Sequence, residues 1–359
     1  MSVSDQKDFT GTMPVQEKHQ FDAAALEAYL SKNVEGFAGP LTVEQFKGGQ
    51  SNPTYKLLTP GRKYVLRRKP PGKLLASAHA VDREYKVISA LAKTDVPVAK
   101  TYVLCEDDGI IGTPFYVMDC VEGRIMWDPS LPDYTPEQRR AIFDEMNRVM
   151  AALHKVDYAA VGLADYGKPG NYFARQIDRW SKQYKASETE KIEAFDRLIE
   201  WLPANVPAGE ESSIVHGDYR LDNMIFHPTE PRVLAVLDWE LSTLGHPLAD
   251  FSYHCMTWHI PKGVFRGLAG YKLAELGIPS EAEHIAAYCR RTGRDAIPQS
   301  DWDFYIAYNL FRLGAILQGI AGRVKDGTAA SKQAAAMGAA ARPLAEMAWQ
   351  KVQQIQKRK

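Results

Sequence analysis

An α+β chain of two unequal lobes is expected, with a small antiparallel sheet ahead of a larger, mainly helical part. Three observations point there. Short strand-like runs separated by Gly/Pro turns fill most of residues 41–120. Beyond residue 121 apolar residues recur at helical spacing and helix starts carry capping signals. A length of 359 residues exceeds what one small core organises. The expected division is a loose, disordered tail over residues 1–20, a first lobe over 21–120 and a second over 121–359.

Phe21 to Val34 reads as a helix with Asp22 near its start. Leu41 to Phe46, Thr54 to Thr59 and Tyr64 to Arg68 read as strands, joined by Gly48-Gly49-Gln50-Ser51-Asn52-Pro53 and by Pro60-Gly61. Val81, Tyr85, Ile88 and Leu91 set a helical period over His79 to Lys93. Thr101 to Glu106 and Pro114 to Cys120 are strands about the turn Asp107-Asp108-Gly109, giving the order β-β-β-α-β-β. Thr135-Pro136-Glu137-Gln138 combines an N-cap, a proline at the first helical position and a capping box, for a helix to about His154. Ser280 and Glu283 open another helix in the same way, Ser300 caps a long one through Val324, and an Ala-rich helix broken near Pro343 closes the chain. Between them Ile214-Val215, Met224 to His227 and Val233 to Leu237 read as short strands.

Composition excludes several classes. Lys+Arg and Asp+Glu both number 44, so binding of nucleic acid through a basic surface is not expected. Cys105, Cys120, Cys255 and Cys289 lie far apart without a CxxC, which reads as reduced thiols of a cytoplasmic protein. Met1 to Gln20 lacks the apolar centre of a secretory signal. The richest apolar stretch, Trp302 to Val324, contains Asn309, Arg312 and Gln318, so it reads as a core helix and no membrane association is expected. The histidines show no HExxH spacing, which argues against a transition metal.

The chemistry concentrates in His216-Gly217-Asp218-Tyr219-Arg220-Leu221-Asp222-Asn223 and in Leu237-Asp238-Trp239-Glu240. An Asp, an Asn five residues later and a second Asp after an apolar run are the polar groups of a kinase-type site: one activates a hydroxyl and two hold magnesium on ATP. Asp218 is the candidate catalytic base. Asn223 and Asp238 are the candidate magnesium ligands, since Mg²⁺ takes hard oxygens. An isolated Asp would be a turn residue; the combined spacing carries the catalytic reading.

With these motifs the chain resembles the aminoglycoside phosphotransferase and choline kinase family, which has a bilobal protein-kinase-like fold. The likeness covers roughly residues 40–325. It is narrower still to the kinase-like domain fused to some acyl-CoA dehydrogenases, through Gly48 to Tyr55, Tyr64 to Gly72 and Leu244 to Asp250. The resemblance implies an ATP-dependent small-molecule kinase using Mg²⁺. It implies a loop over the ATP phosphates at Gly48, Gly49, Ser51 and Asn52, where glycines let backbone N–H groups approach phosphate oxygens. It implies a strand cation held by the helical Glu84. Arg67 is the first choice and Lys69 the reserve, because the two share a strand face; the bland alternative for Arg67 and Arg68 is a solvated strand edge. Phe115 to Val121 fits the segment between the lobes, its backbone meeting adenine, with Met118 and Cys120 at the slot. Asp250 resembles a residue that braces the catalytic loop. Trp258, Tyr305 and Tyr308 read either as acceptor-pocket residues or as core.

For the acceptor, the narrower likeness implies a hydroxyacyl-CoA or hydroxy acid. Residues 260–327 hold nine Lys/Arg and seven Asp/Glu, a balance that does not suit a polycationic aminoglycoside or choline. An aminoglycoside or choline-type kinase is the alternative. So is a nucleotide-binding regulator without catalysis, which the Arg at position 67 favours. A helical scaffold pairing through its Ala-rich end is compatible with any of these.

Overall fold

A computed structural model describes residues 11–47, 52–71, 80–264, 266–328 and 334–358. The chain forms two compact units. The first comprises Met1–Asp128, Asp157–Tyr166 and Leu221–Ser242, and the second Pro129–Val156, Gly167–Arg220 and Thr243–Lys359. A single cut at residue 120 therefore does not describe the division. The chain returns to the first unit because backbone bonds draw it there: Arg124 and Phe226 exchange N–H···O bonds of 2.8 Å, and the Val236 N–H donates to the Pro97 carbonyl at 2.9 Å.

Period-two alternation builds the first unit. Strands β1 (Thr12–Met13), β2 (Thr42–Phe46), β3 (Thr54–Leu58), β4 (Lys63–Arg68), β5 (Thr101–Cys105) and β6 (Phe115–Asp119) form, among the described residues, an antiparallel sheet in the order β1-β2-β3-β4-β6-β5. Tyr55, Leu57, Tyr64, Leu66, Phe115 and Val117 point to one face and bury against Leu26 and Leu30 of helix α1 (Ala23–Asn33). Their strand neighbours Val65, Arg67, Tyr116 and Met118 belong to the opposite face. Helix α2 (Val81–Leu91) packs on β5 and β6, burying Val81, Glu84, Val87, Ile88 and Leu91. Strands β8 (Met224–Phe226) and β9 (Val233–Val236) form a separate antiparallel pair.

Two expectations for this unit change. Residues 11–20 are ordered, because Thr12 pairs with Phe46, the Gln45 side chain accepts from the Gln16 N–H at 3.1 Å, and the Tyr55 hydroxyl donates to the His19 carbonyl at 2.9 Å. The turn at residues 107–109 is one helical turn, α3 (Asp108–Ile111), capped by the Asp107 carboxylate.

The second unit is helical: α4 (Pro136–Lys155), α5 (Tyr172–Ala186), α6 (Glu193–Ala204), α7 (Pro247–Cys255), α8 (Leu273–Leu276), α9 (Glu281–Thr292), α10 (Gln299–Lys325), α11 (Ala334–Ala339) and α12 (Ala341–Arg358), with the antiparallel pair β7 (Ser213–Val215) and β10 (Thr243–Gly245). Both expected capping boxes are present, at Thr135/Gln138 and Ser280/Glu283. Helix α10 is buried on every side from Trp302 to Ala315, its polar residues Asn309 and Arg312 included, each hydrogen-bonded within the unit. It packs against α5, α6, α7, α11 and α12. Ser300 does not cap it: the Pro298 carbonyl accepts the first helical bonds, and the Ser300 hydroxyl turns to the Asp301 carboxylate at 3.2 Å. The C-terminal break falls at Ala340, leaving Pro343 in the first turn of α12, where its missing N–H costs no helical bond. The apolar face of α12 (Leu344, Ala345, Ala348, Val352, Ile355) is buried and α12 packs on α10, so it is engaged within the unit. No helix among the described residues is long and apolar enough to cross a membrane.

Candidate active site

In the first unit a cavity of about 640 Å³ adjoins the sheet, within the range of roughly 300–1,000 Å³ that small ligands occupy. Val65 and Met118 from the sheet and Ile225 and Val236 from the β8–β9 pair give it apolar walls; Arg67, Asn223 and Asp238 add polar groups.

Glu84, 1% exposed in the first turn of α2, organises the polar side. Its carboxylate accepts hydrogen bonds from Nη2 of Arg67 at 3.3 Å, the Tyr116 hydroxyl at 3.0 Å and Nδ2 of Asn52 at 2.8 Å, while Nε of Arg67 lies 3.0 Å away as an ion-pair contact without hydrogen-bond geometry. Burial pushes the Glu84 carboxyl above its ordinary value, with Arg67 opposing and Asp238 adding to the rise. Burial acts to lower Arg67, but the negative charges of Glu84 first, then Asp238 and Glu240, hold it above its ordinary value, so it stays a cation at any working pH. Its Nη2 also lies 3.5 Å from Oδ1 of Asp238.

Asp238 sits at φ 64°, ψ 62°, a left-handed conformation that costs a residue with a β-carbon roughly 1–2 kcal/mol. Its neighbours hold it there: the Leu237 N–H donates to the Asn223 carbonyl at 2.8 Å, and the buried Trp239 indole donates to the Val236 carbonyl at 2.9 Å. The first of these bonds also ties Asn223 to the residue before Asp238. An amide and a carboxylate oxygen on one cavity fit a magnesium ion that takes its remaining ligands from phosphate and water. No cluster of three or more His, Cys, Asp or Glu able to hold a metal exists among the described residues.

Strand β6 lies between β4 and β5, so the backbone of Met118 is engaged in the sheet against Val65 and Thr101. The Asp119 N–H donates to the Lys100 carbonyl at 2.8 Å. The Cys120 N–H also donates to the Lys63 carbonyl, at 3.4 Å, and Cys120, Val121, Glu122 and Gly123 line the cavity. Burial raises the Cys120 thiol, which keeps it neutral.

In the second unit the chain after β7 turns sharply at Gly217, φ 84°, a conformation glycine takes freely. The turn is held by Asp250 of α7, 2% exposed. Its Oδ2 accepts the His216 N–H at 2.7 Å and its Oδ1 the Gly217 N–H at 2.8 Å. Nε2 of His154 lies 3.3 Å from Oδ2, and Nδ1 of that ring is 2.7 Å from the Tyr288 hydroxyl. Burial pushes Asp250 up, yet His154 first and then His216 outweigh it and hold the carboxyl below its usual value. Arg312 donates to the Gly217 carbonyl at 2.6 Å, and the Asp218 N–H donates to Nδ1 of His216 at 3.1 Å. The Asp218 carboxylate accepts the Tyr253 hydroxyl on Oδ1 at 2.6 Å and pairs with Arg220 through Oδ2 at 2.8 Å.

Of the sequence candidates, Asn52, Arg67, Met118, Cys120, Asn223 and Asp238 line one cavity, with Glu84 bound to Arg67. Asn52 points its amide at Glu84, a bracing contact not foreseen for a phosphate loop. Gly48, Gly49 and Ser51 lie outside the described residues. Lys69 is not among the described residues lining the cavity. The strand-edge reading of Arg67 and Arg68 fails because β4 is interior; Arg68 is 2% exposed and stacks 5.3 Å over the Phe21 ring. Trp258, Tyr305 and Tyr308 are buried. Tyr116, Tyr253, His154, Arg220 and Arg312 were not anticipated. Two signals were available: Tyr253 follows Asp250 by three residues on one helix face, and Tyr116 lies opposite Arg67 across the strand pair.

Sheet, helical unit and motifs together have the protein-kinase-like architecture. A sequence profile described as the phosphotransferase enzyme family matches residues 42–296, and the chain belongs to that family. Over 343 residues it is 47% identical to acyl-CoA dehydrogenase family member 10 of Mus musculus, a match covering 94% of this chain and 32% of that protein. The chain spans less than half the length of the curated relatives it matches. A solved structure from Ralstonia eutropha, described as a candidate aminoglycoside phosphotransferase, is 61% identical with a TM-score of 0.87, covering 93% of this chain and 99% of that one. An aminoglycoside phosphotransferase solved with AMP-PNP and hygromycin B shares the fold at 16% identity and a TM-score of 0.59, covering 92% and 99% of the two chains.

Proposed function

We propose that the chain moves the γ-phosphoryl group of ATP to a hydroxyl of a small molecule, and that this acceptor is a hydroxy acid or hydroxyacyl-CoA. The observation that carries the reading is the meeting of Arg67, Asn223 and Asp238 on one cavity, with Glu84 fixing the Arg67 guanidinium. Val65, Met118, Ile225 and Val236 pack on the base, and the backbone beyond Asp119 takes its edge. Arg67 meets the α- and β-phosphate oxygens. Asn223 and Asp238 would hold Mg²⁺, which when bound neutralises charge on the phosphates. Asp218 orients the acceptor hydroxyl and takes its proton as the oxygen attacks phosphorus. His216, Asp250 and Arg312 keep the loop from reorganising during that step.

The acceptor class is supported by the 47% identity to a protein named for acyl-CoA dehydrogenation. Phosphorylating a hydroxyl turns it into a better leaving group, which suits the breakdown of hydroxylated acyl chains. The 61% identity to a candidate aminoglycoside phosphotransferase favours an aminoglycoside instead. The nine Lys/Arg against seven Asp/Glu in residues 260–327 weigh against that polycation.

The test is a panel of hydroxy acids, hydroxyacyl-CoAs, choline, sugars and aminoglycosides with ATP and Mg²⁺. Turnover is expected on the hydroxy acid group, and Asp218→Asn should lower it by roughly 10²- to 10⁴-fold with nucleotide binding retained. Turnover on aminoglycosides alone rejects the acceptor assignment. ATP binding without transfer to anything rejects the enzyme reading in favour of a nucleotide-binding regulator.

A further inference from the structure

We propose that Tyr253 is a positioning residue of the transfer: its hydroxyl fixes Oδ1 of Asp218, so that Oδ2 is the oxygen that takes the acceptor's proton. This rests on the phosphoryl-transfer reading above. Tyr253 is 5% exposed on α7 and donates to Oδ1 at 2.6 Å. Burial, then the Asp218 charge, holds its phenol above the ordinary value, so it stays a donor. Its ring lies 4.9 Å from the guanidinium carbon of Arg312, which itself donates to the Gly217 carbonyl.

The charged and titratable groups facing this carboxylate include Tyr253, Arg220 and Arg312, with His216 receiving the Asp218 N–H. Tyr172 and Tyr308 face Arg312 in turn. Asp218 is thus held unequally. Oδ1 meets a buried phenol, whereas Oδ2 meets Arg220, whose side chain is 23% exposed. A carboxylate turning about its Cβ–Cγ bond would present either oxygen, and the phenol removes that freedom. In the reaction the acceptor oxygen bonds to the γ-phosphorus as the bond from phosphorus to the β,γ-bridging oxygen breaks. ADP departs with that electron pair, and the hydroxyl proton passes to Oδ2 and then to solvent. Tyr253 touches Asp218 and not the reacting atoms.

Tyr253→Phe removes the hydroxyl and keeps the ring beside Arg312. With the best acceptor of the panel, kcat is expected to fall roughly 10- to 100-fold with KM for ATP unchanged. In an Asp218→Asn background the same change should add nothing, since it acts through the missing carboxylate. Site-specific fluorotyrosine at position 253, which keeps the side chain and its donor hydroxyl, should hold kcat near the wild-type value. An unchanged kcat in Tyr253→Phe, a loss with fluorotyrosine as large as with Phe, or a loss that multiplies with that of Asp218→Asn overturns the proposal. A wild type that transfers phosphate to no acceptor overturns the transfer reading and this inference together; an active wild type matched by its Tyr253→Phe variant overturns this inference alone.

Discussion

Glu84 in the first unit and Asp250 in the second are both buried carboxylates, 1% and 2% exposed, yet their surroundings push them in opposite directions. Glu84 faces a cation, but burial outweighs Arg67, Asp238 adds a second negative charge at the same guanidinium, and the carboxyl is left raised. Asp250 has His154 beside it and two backbone N–H groups aimed at its oxygens, and it is lowered. The difference separates two tasks. Asp250 clamps a backbone turn, for which a charged acceptor of several N–H donors is suited. Glu84 holds a mobile side chain in place, and shares it with Asp238.

The clamp should be the harder of the two to lose. Asp250→Ala leaves the N–H groups of His216 and Gly217 without their acceptor in a buried site. A loss of about 4 kcal/mol is expected, read by thermal or urea denaturation, together with loss of turnover as the Asp218 loop relaxes. A stability change near zero would mean that water replaces the carboxylate and that the clamp is not structural. Glu84→Gln keeps the shape and two acceptor sites but strips Arg67 of its nearest charge. About 2 kcal/mol is expected for weakening charged hydrogen bonds to neutral ones, with weaker ATP binding in isothermal titration. Equal losses at both positions would erase the distinction between clamp and counter-ion.

These two residues also mark how far the sequence could be read. The strands, the α2 helix and both capping boxes were legible because each depends on residues near in the chain: alternation for β3 and β4, and Thr135 with Gln138 for α4. The candidates Asp218, Asn223 and Asp238 could be singled out because they lie within one short stretch. What was missed depends on distant contacts. Asn52 meets Glu84 across 32 positions, Arg312 meets Gly217 across 95, and Asp250 receives a histidine 96 positions earlier. Helix α7 was passed over because it is buried throughout, and a helix without a polar face gives no amphipathic period.

Acid should separate the units further, by a smaller step. His246, His254 and His284 all lie in the second unit; burial lowers the first two to about 4 and lowers His284 too. Glu211 and Asp250 pull the first two partly back, while His254 and Arg291 depress His284 further. In the unfolded chain these rings protonate near pH 6.5, whereas the fold keeps them neutral until about 4 for His246 and His254. Below 6.5 the unfolded state therefore binds more protons, and stability falls as pH falls through that window. Going from pH 7 to 6 should cost roughly half a kcal/mol for each histidine. Denaturation midpoints measured across pH 7 to 5 check this; stability that rises on acidification contradicts the sign.

The smallest expected effect bears most directly on the cation of the nucleotide cavity. Arg67 hydrogen-bonds Glu84 through Nη2 at 3.3 Å and keeps Nε 3.0 Å away as an ion-pair contact, and the same Nη2 reaches towards Asp238. A lysine keeps the charge but has one nitrogen, so it serves Glu84 or the phosphates less well at once. Arg67→Lys should cost about 1 kcal/mol in ATP binding, read as a severalfold rise in KM for ATP with kcat little changed. If stability drops while KM stays fixed, Arg67 is only the partner of Glu84, and the phosphate contact passes to Lys69. The contrast with Asp250 explains why substitution is informative here and not there. The donors to Asp250 include backbone N–H groups that every non-proline sequence supplies, so that cluster leaves little to vary. The donors to Glu84 are side chains, and the choice between Arg and Lys at position 67 decides how its charge is divided among Glu84, Asp238 and the nucleotide.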